Sequence, residues 1–161
     1  MRISRYLAIC LLACIPPALA AEAGKPTPAA SSTEAPTGSL PPAFNIPGVR
    51  ASSTLATEVH CSNLSAAAVS VYVDFYQYDG TYQCGLSYAS MAVGTTRTFT
   101  TGDSASFLED QFCVSTTAIG QGLAVVRTFP VGAKIACSAE IVALTGDPPA
   151  TLGALDVHPA Q

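Results

Sequence analysis

The stretch Val69-Ser70-Val71-Tyr72-Val73-Asp74-Phe75-Tyr76-Gln77-Tyr78, closed by Asp79-Gly80, decides the fold. Val69, Val71, Val73 and Phe75 recur at every second position, and a period of two puts them on one face of a β-strand. Ser70, Tyr72, Asp74, Tyr76 and Tyr78 occupy the other face. β-Branched and aromatic residues suit a pleated, half-buried surface, and Asp-Gly is a strong hairpin signal. The stretch reads as the longest strand of an antiparallel sheet, its odd positions in the core.

Working outward, the same alternation recurs on both sides. Upstream, Leu55, Thr57, Val59 and Cys61 alternate with Thr54, Ala56, Glu58 and His60, and Ser62-Asn63 ends that strand. Downstream, Tyr82 to Ala89 form a third strand, with Tyr82, Cys84, Leu86 and Tyr88 on one face. A Gly94 turn precedes a threonine-rich fourth strand ending at Thr100. Phe112 to Thr117, Leu123 to Phe129 and Lys134 to Leu144 complete the set, with Gly120-Gln121-Gly122 and Pro130-Val131-Gly132-Ala133 read as turns. Residues 104–110 have the composition of a single helical turn. No amphipathic segment of helix length and no internal repeat intervenes. Short strands separated by regular turn signals define an all-β fold. The expectation is a seven-stranded antiparallel immunoglobulin-like sandwich over residues 52–145, stapled by disulfides.

The flanks differ in kind. Arg2 and Arg5 precede an apolar run from Tyr6 to Ile15, Pro16-Pro17 break it, and Ala18-Leu19-Ala20 has the small-x-small pattern of a signal peptidase site. Residues 1–20 therefore read as an export signal, giving a mature start at Ala21. The apolar run is too short for a membrane span. Leu11-Leu12-Ala13-Cys14 is the alternative, a lipobox that would place a lipid on Cys14. Residues 21–51 are rich in Ala, Pro, Ser and Thr without hydrophobic period, the composition of a disordered linker. Residues 146–161, with Asp147-Pro148-Pro149 and His158-Pro159, read as a flexible tail.

Of the 161 residues, 49% are apolar and 11% charged. Removing residues 1–20 lowers Lys plus Arg from 7 to 5 against 11 acidic residues, a net charge of −6. So acidic a chain, with scattered basic residues, carries no electrostatic footprint for nucleic acid and no basic amphipathic surface for membranes. A membrane enters only through a lipid on Cys14.

Cleavage after residue 20 leaves Cys61, Cys84, Cys113 and Cys137. An even number of cysteines in an exported chain reads as two disulfides, with three connectivities open. Parity favours Cys61 with Cys137, both on the apolar face of the first and last strands, leaving Cys84 with Cys113. Each bridge would stabilise by about 2–4 kcal/mol.

Thr57-Glu58-Val59-His60-Cys61-Ser62-Asn63, a valine-rich strand, a glycine turn before a threonine-rich strand, and Ile135-Ala136-Cys137-Ser138-Ala139-Glu140-Ile141 carry a resemblance. Over residues 53–144 the chain resembles small exported bacterial single-domain β-sandwich proteins with a cysteine in the first and last strands. The resemblance implies the sandwich and the Cys61–Cys137 link. It brings no activity, and Cys84 and Cys113 are additions to its pattern.

Catalytic constellations are weak. Gly85-Leu86-Ser87-Tyr88-Ala89 resembles a nucleophile elbow, but its last glycine is alanine and the segment reads as strand, not as a strand-to-helix turn. His60 and Cys61, as neighbours in a strand, point to opposite faces. The cysteines lack zinc spacing, and Asp103, Glu109 and Asp110 lack the EF-hand pattern for calcium. Asp74 and Glu140 are candidates for a carboxylate pair only if the fold brings them together. Asn63-Leu64-Ser65 is a formal glycosylation sequon at a position where a turn explains the asparagine. The expectation is no enzyme, no cofactor and no resident metal.

One feature points to binding. Tyr72, Tyr76 and Tyr78, with Asp74 among them, lie on the non-core face of the central strand, and Tyr82 and Tyr88 follow on the next strand. Tyrosines two residues apart rise about 6–7 Å along a strand and form a strip suited to sugars or a partner protein. Equally, tyrosine is a good strand former, and cross-strand tyrosine pairs stabilise sheets. The sequence reading is an exported interaction module, periplasmic or secreted, that binds an envelope or extracellular protein or glycan. The alternative is a structural envelope protein with no discrete ligand site.

Overall fold

The computed structural model describes residues 40–103, 111–113, 117–146 and 150–161, with the backbone of 29–30. The export signal, Cys14, the linker up to residue 39 apart from that 29–30 backbone, the helical turn at 104–110, and Glu109 and Asp110 lie outside the described residues.

The strands are β1 (Ala29–Ala30), β2 (Pro42–Ala51), β3 (Leu55–Asn63), β4 (Val69–Gln77), β5 (Tyr82–Met91), β6 (Thr96–Thr100), β7 (Gln111–Phe112), β8 (Ile119–Phe129), β9 (Ile135–Ala143), β10 (Thr151–Leu155) and β11 (His158–Pro159). They form two sheets, ordered β1-β7-β6-β3-β9-β10 and β11-β2-β8-β4-β5. Pairing is antiparallel except where β7 meets β1 and β6, which is parallel. The fold is an all-β, disulfide-bonded sandwich. With sheets of six and five strands, it exceeds the seven-stranded expectation.

The decisive stretch behaves as its period predicts. Val69, Val71, Val73 and Phe75 of β4 are buried between the sheets, in one continuous core with Val126 of the same sheet and Val59 and Phe99 of the other. The extra strands come from both flanks. Residues 42–51, expected as linker, form β2, which pairs with β8 and sends Ile46, Val49 and Ala51 into the core. Residues 151–155 and 158–159, expected as tail, form β10 on β9 and β11 on β2, with Leu155 and Val157 packed against the core.

Two devices hide β2 from a period-two reading. Pro42 and Pro47 cannot donate to a ladder, yet both lie in register with β8, opposite Arg127 and Leu123, and outside the β11 register at Phe44 and Asn45. Gly48, at φ +87°, then makes a bulge that shifts the register between Pro47 and Val49. Ile46 and Val49, three apart, thereby both point inward.

Gly120-Gln121-Gly122, expected as a turn, lies within β8 instead. A Cβ on Gly122 would fall 2.3 Å from the Tyr76 carbonyl oxygen and 2.7 Å from Ile119 Cγ2, so glycine here permits close strand approach.

Both disulfides form. Cys61 and Cys137 are directly opposite on β3 and β9, Cα atoms 4.2 Å apart, bridging neighbours within one sheet. Cys84 of β5 joins Cys113, just past β7, and so links an edge of one sheet to the other. Two disulfides fit an oxidising compartment, extracellular or periplasmic. Among the described residues no helix is long and apolar enough to cross a membrane.

The sequon asparagine is structural. Asn63 is buried, its Nδ2 donates to the carbonyls of Ala67 (2.8 Å) and Met91 (2.9 Å), and its Oδ1 accepts the Ser65 N–H (2.8 Å).

Because β2 supplies core side chains and covers β8, a fragment of residues 52–145 is expected not to fold cooperatively. Residues 40–161 are expected to give a dispersed amide spectrum and a single unfolding transition; equal behaviour of the two fragments would remove β2 and the C-terminal strands from the core.

Candidate functional site

The tyrosine face of β4 lies on the outside of the five-stranded sheet, but its members part ways. Asp74, expected at the surface, is only 3% exposed. Its carboxylate accepts a charge-assisted hydrogen bond from Arg127 Nη1 on β8. The register explains the meeting: Asp74 is opposite Val125, and Arg127 is the diagonal neighbour two residues on, within reach of a long side chain. Arg127 Nε also donates to the Leu40 carbonyl at 3.0 Å, so the chain entering β2 helps to cover the pair.

Tyr82 closes this cluster from the other side. The alternation gives it the same face as Cys84 and Leu86, which are buried in the core. A register shift in the β4–β5 ladder instead pairs Phe75 with Cys84 but Tyr76 with Tyr82, so β5 carries one extra residue at this point. Tyr82 thereby turns outward and meets the Tyr76 ring edge-on at 5.7 Å. Gly85, opposite Asp74, makes the room: a Cβ there would fall 2.6 Å from Asp74 Oδ1 and 2.7 Å from Tyr82 Oη. Burial raises the phenol's pKa above its usual value, and the Asp74 charge adds to the shift. Burial also raises the Asp74 carboxyl above its ordinary 3.8, Arg127 opposing the shift without cancelling it.

Tyr72 is half-buried beside this cluster, and Tyr78 stands 81% exposed in the turn after β4. That turn is tied by the Asp79 carboxylate, which accepts the Thr81 N–H at 2.9 Å; the same bond lowers the Asp79 pKa. Tyr88 lies under the Arg97 guanidinium, 4.4 Å from the ring centroid, at the sandwich edge.

Tyr76 and Tyr78 form one side of an open groove of about 530 Å³ across β4, β8 and β2. Leu123, Val125 and Arg127 line it from β8, and Pro42 and Pro47 from β2. Tyr72 and Asp74 are not among its lining residues. Half of the expected face thus meets a groove, and half builds the support beneath it. The groove escapes a sequence reading because its far wall comes from the segment that reads as linker.

Other candidates separate. Asp74 and Glu140 lie in different sheets, on β4 and β9, and form no carboxylate pair. Gly85–Ala89 runs within β5, with no strand-to-helix turn. Asp103 is exposed. His60 and Cys61 face opposite ways: Cys61 goes into its bridge, and His60 lies on the outer face of β3 with Glu58 and Glu140. Glu58 and Glu140 are directly opposite across β3 and β9, a juxtaposition that only strand pairing creates.

In comparisons with protein families, with curated proteins and with solved structures, no match was found.

The cluster makes three testable demands. Asp74→Leu or Arg127→Met alone leaves one charge buried without its partner, an expected loss of about 3–5 kcal/mol in denaturant unfolding, and the double replacement is expected to cost far less. Because the native fold holds the Asp74 proton more tightly than the unfolded chain, its contribution falls as pH rises from 3.8 through the raised pKa. The stability of wild type relative to Asp74→Asn should therefore decline over that window. Gly85→Ala, which pushes a methyl into the carboxylate and the phenol, is expected to destabilise by about 1–3 kcal/mol; a neutral result would mean that Tyr82 can leave its place freely.

Proposed function

We propose that this chain is an exported, non-enzymatic interaction module that binds a neutral envelope or extracellular glycan along the groove of β2, β8 and β4. Residues 1–20 direct export, and the domain works in the periplasm or outside the cell, with a lipid on Cys14 as the alternative attachment. The single observation that carries the reading is the groove wall of Tyr76 and Tyr78 facing Pro42 and Pro47. Sugar rings present apolar C–H faces and a polar rim. Aromatic rings that keep a hydroxyl suit the first, and the amides of Gln77 and Gln121, which also line the groove, suit the second. The acidic balance of the mature chain disfavours polyanionic sugars.

Titration of the mature chain, residues 21–161, with neutral oligosaccharides, followed by amide shifts and tyrosine fluorescence, tests the proposal. Shifts confined to β2, β8 and the β4 turn are expected, and Tyr76→Ser with Tyr78→Ser is expected to abolish them while Tyr88→Ser leaves them unchanged. A protein ligand that protects the same residues would replace the glycan as occupant. Absence of any ligand effect at the groove would favour a structural envelope role.

A further inference from the structure

On the opposite sheet, Glu58, His60 and Glu140 bring two carboxylates and an imidazole together on the outer face of β3 and β9. Their ligand atoms all lie within 4.8 Å of one another. His60 Nε2 is 3.5 Å from Glu140 Oε1 and 3.7 Å from Glu58 Oε2. Both distances exceed a good hydrogen bond. Both are close to the separation of about 3.3–3.4 Å between ligand atoms placed tetrahedrally around an ion at zinc's usual N and O bond lengths. The imidazole needs only a few tenths of an ångström of closure toward each carboxylate, and drawing both carboxylates onto one ion would complete three ligands.

The surroundings have the features of a metal site. His60 Nδ1 lies 3.0 Å from Thr98 Oγ1 on β6, a contact that orients the ring and aims Nε2 at the carboxylates. An outer partner on the second ring nitrogen is the usual arrangement around a metal-bound histidine. All three ligands project from paired strands rather than loops, and β3 is fastened to β9 by the Cys61–Cys137 bridge one residue from His60. Glu58 is fully buried, whereas the side chains of His60 and Glu140 keep 23% and 25% exposure, leaving an approach for the ion and for a water as fourth ligand.

We propose that Glu58, His60 and Glu140 bind a divalent transition-metal ion, with zinc the best match. Two carboxylates balance a divalent charge with a neutral imidazole. The mixed nitrogen and oxygen donors suit zinc over calcium or magnesium, which take oxygen ligands. The site is separate from the groove, so either proposal can fail without the other.

The test uses the metal-free, oxidised mature chain, residues 21–161. Isothermal titration with zinc chloride and metal analysis after dialysis are expected to show one ion per chain. Cobalt(II) in its place is expected to give the visible absorption of a tetrahedral site. His60→Gln and Glu140→Gln, both at partly exposed positions, are expected to abolish stoichiometric binding with an unchanged circular dichroism spectrum. Thr98→Val is expected to weaken binding by about 10-fold or more, and His158→Ala to leave it intact. Excess calcium should not displace the zinc. Failure of the wild-type chain to bind zinc, or equal binding by folded His60→Gln and Glu140→Gln, would overturn the proposal and leave the cluster as a histidine lying between two carboxylates.

Discussion

Antiparallel pairing of β8 with both β4 and β2 is the constraint on which the rest of the structure depends. β8 carries Val126 inward and Val125 and Arg127 outward, so one strand supplies the core, the groove and the partner of Asp74. Its ladder with β4 sets the diagonal that joins Asp74 to Arg127, and its ladder with β2 brings the Leu40 carbonyl over Arg127. β2 covers the side of β8 that β4 leaves free; in a sheet of β4, β5 and β8 alone that side would be bare. β8 would then present an open edge, the exposed hydrogen-bonding row that folded proteins take care to cover.

The core is made largely of valine and alanine, and such side chains bury little area each. Several features compensate. The C-terminal segment crosses from one sheet to the other, pairing β10 with β9 and β11 with β2, and drops Leu155 against Gly48. The disulfides divide the remaining work. Cys61–Cys137 locks a strand pair that hydrogen bonds already hold, while Cys84–Cys113 crosses between the sheets near their free edges. Cross-links act mostly by restricting the unfolded chain, which favours a domain whose apolar side chains are small.

The two faces of the sandwich are chemically distinct. Outside the five-stranded sheet, tyrosines cover a buried ion pair, and burying charge is tolerable there because the guanidinium and carboxylate satisfy each other. Outside the six-stranded sheet, two glutamates and a histidine converge on a rigid strand pair. The first arrangement leaves aromatic surface facing a groove, and the second gathers two carboxylates and an imidazole within 4.8 Å of one another. Different chemistry on opposite faces gives the fold two independent surfaces to use.

The sequence by itself determined the strands whose side chains obey a period of two. The alternation in β4 is uninterrupted, so its core face, and with it the all-β class, follows from local pattern alone. Strand parity favoured the disulfide pairing that formed. Tertiary structure decided whatever depended on partners distant in sequence. β2 was illegible because prolines and the Gly48 bulge break its period, and it becomes a strand only because β8 offers it a ladder. Tyr82 reversed its face through a register shift that exists only between two paired strands. Asp74 lost its place at the surface to a partner 53 residues away, and Glu58 met Glu140 only when β3 paired with β9. Periodicity describes how one strand divides its side chains between two faces. Which residues then meet across strands is set by register, and register belongs to the assembled sheets.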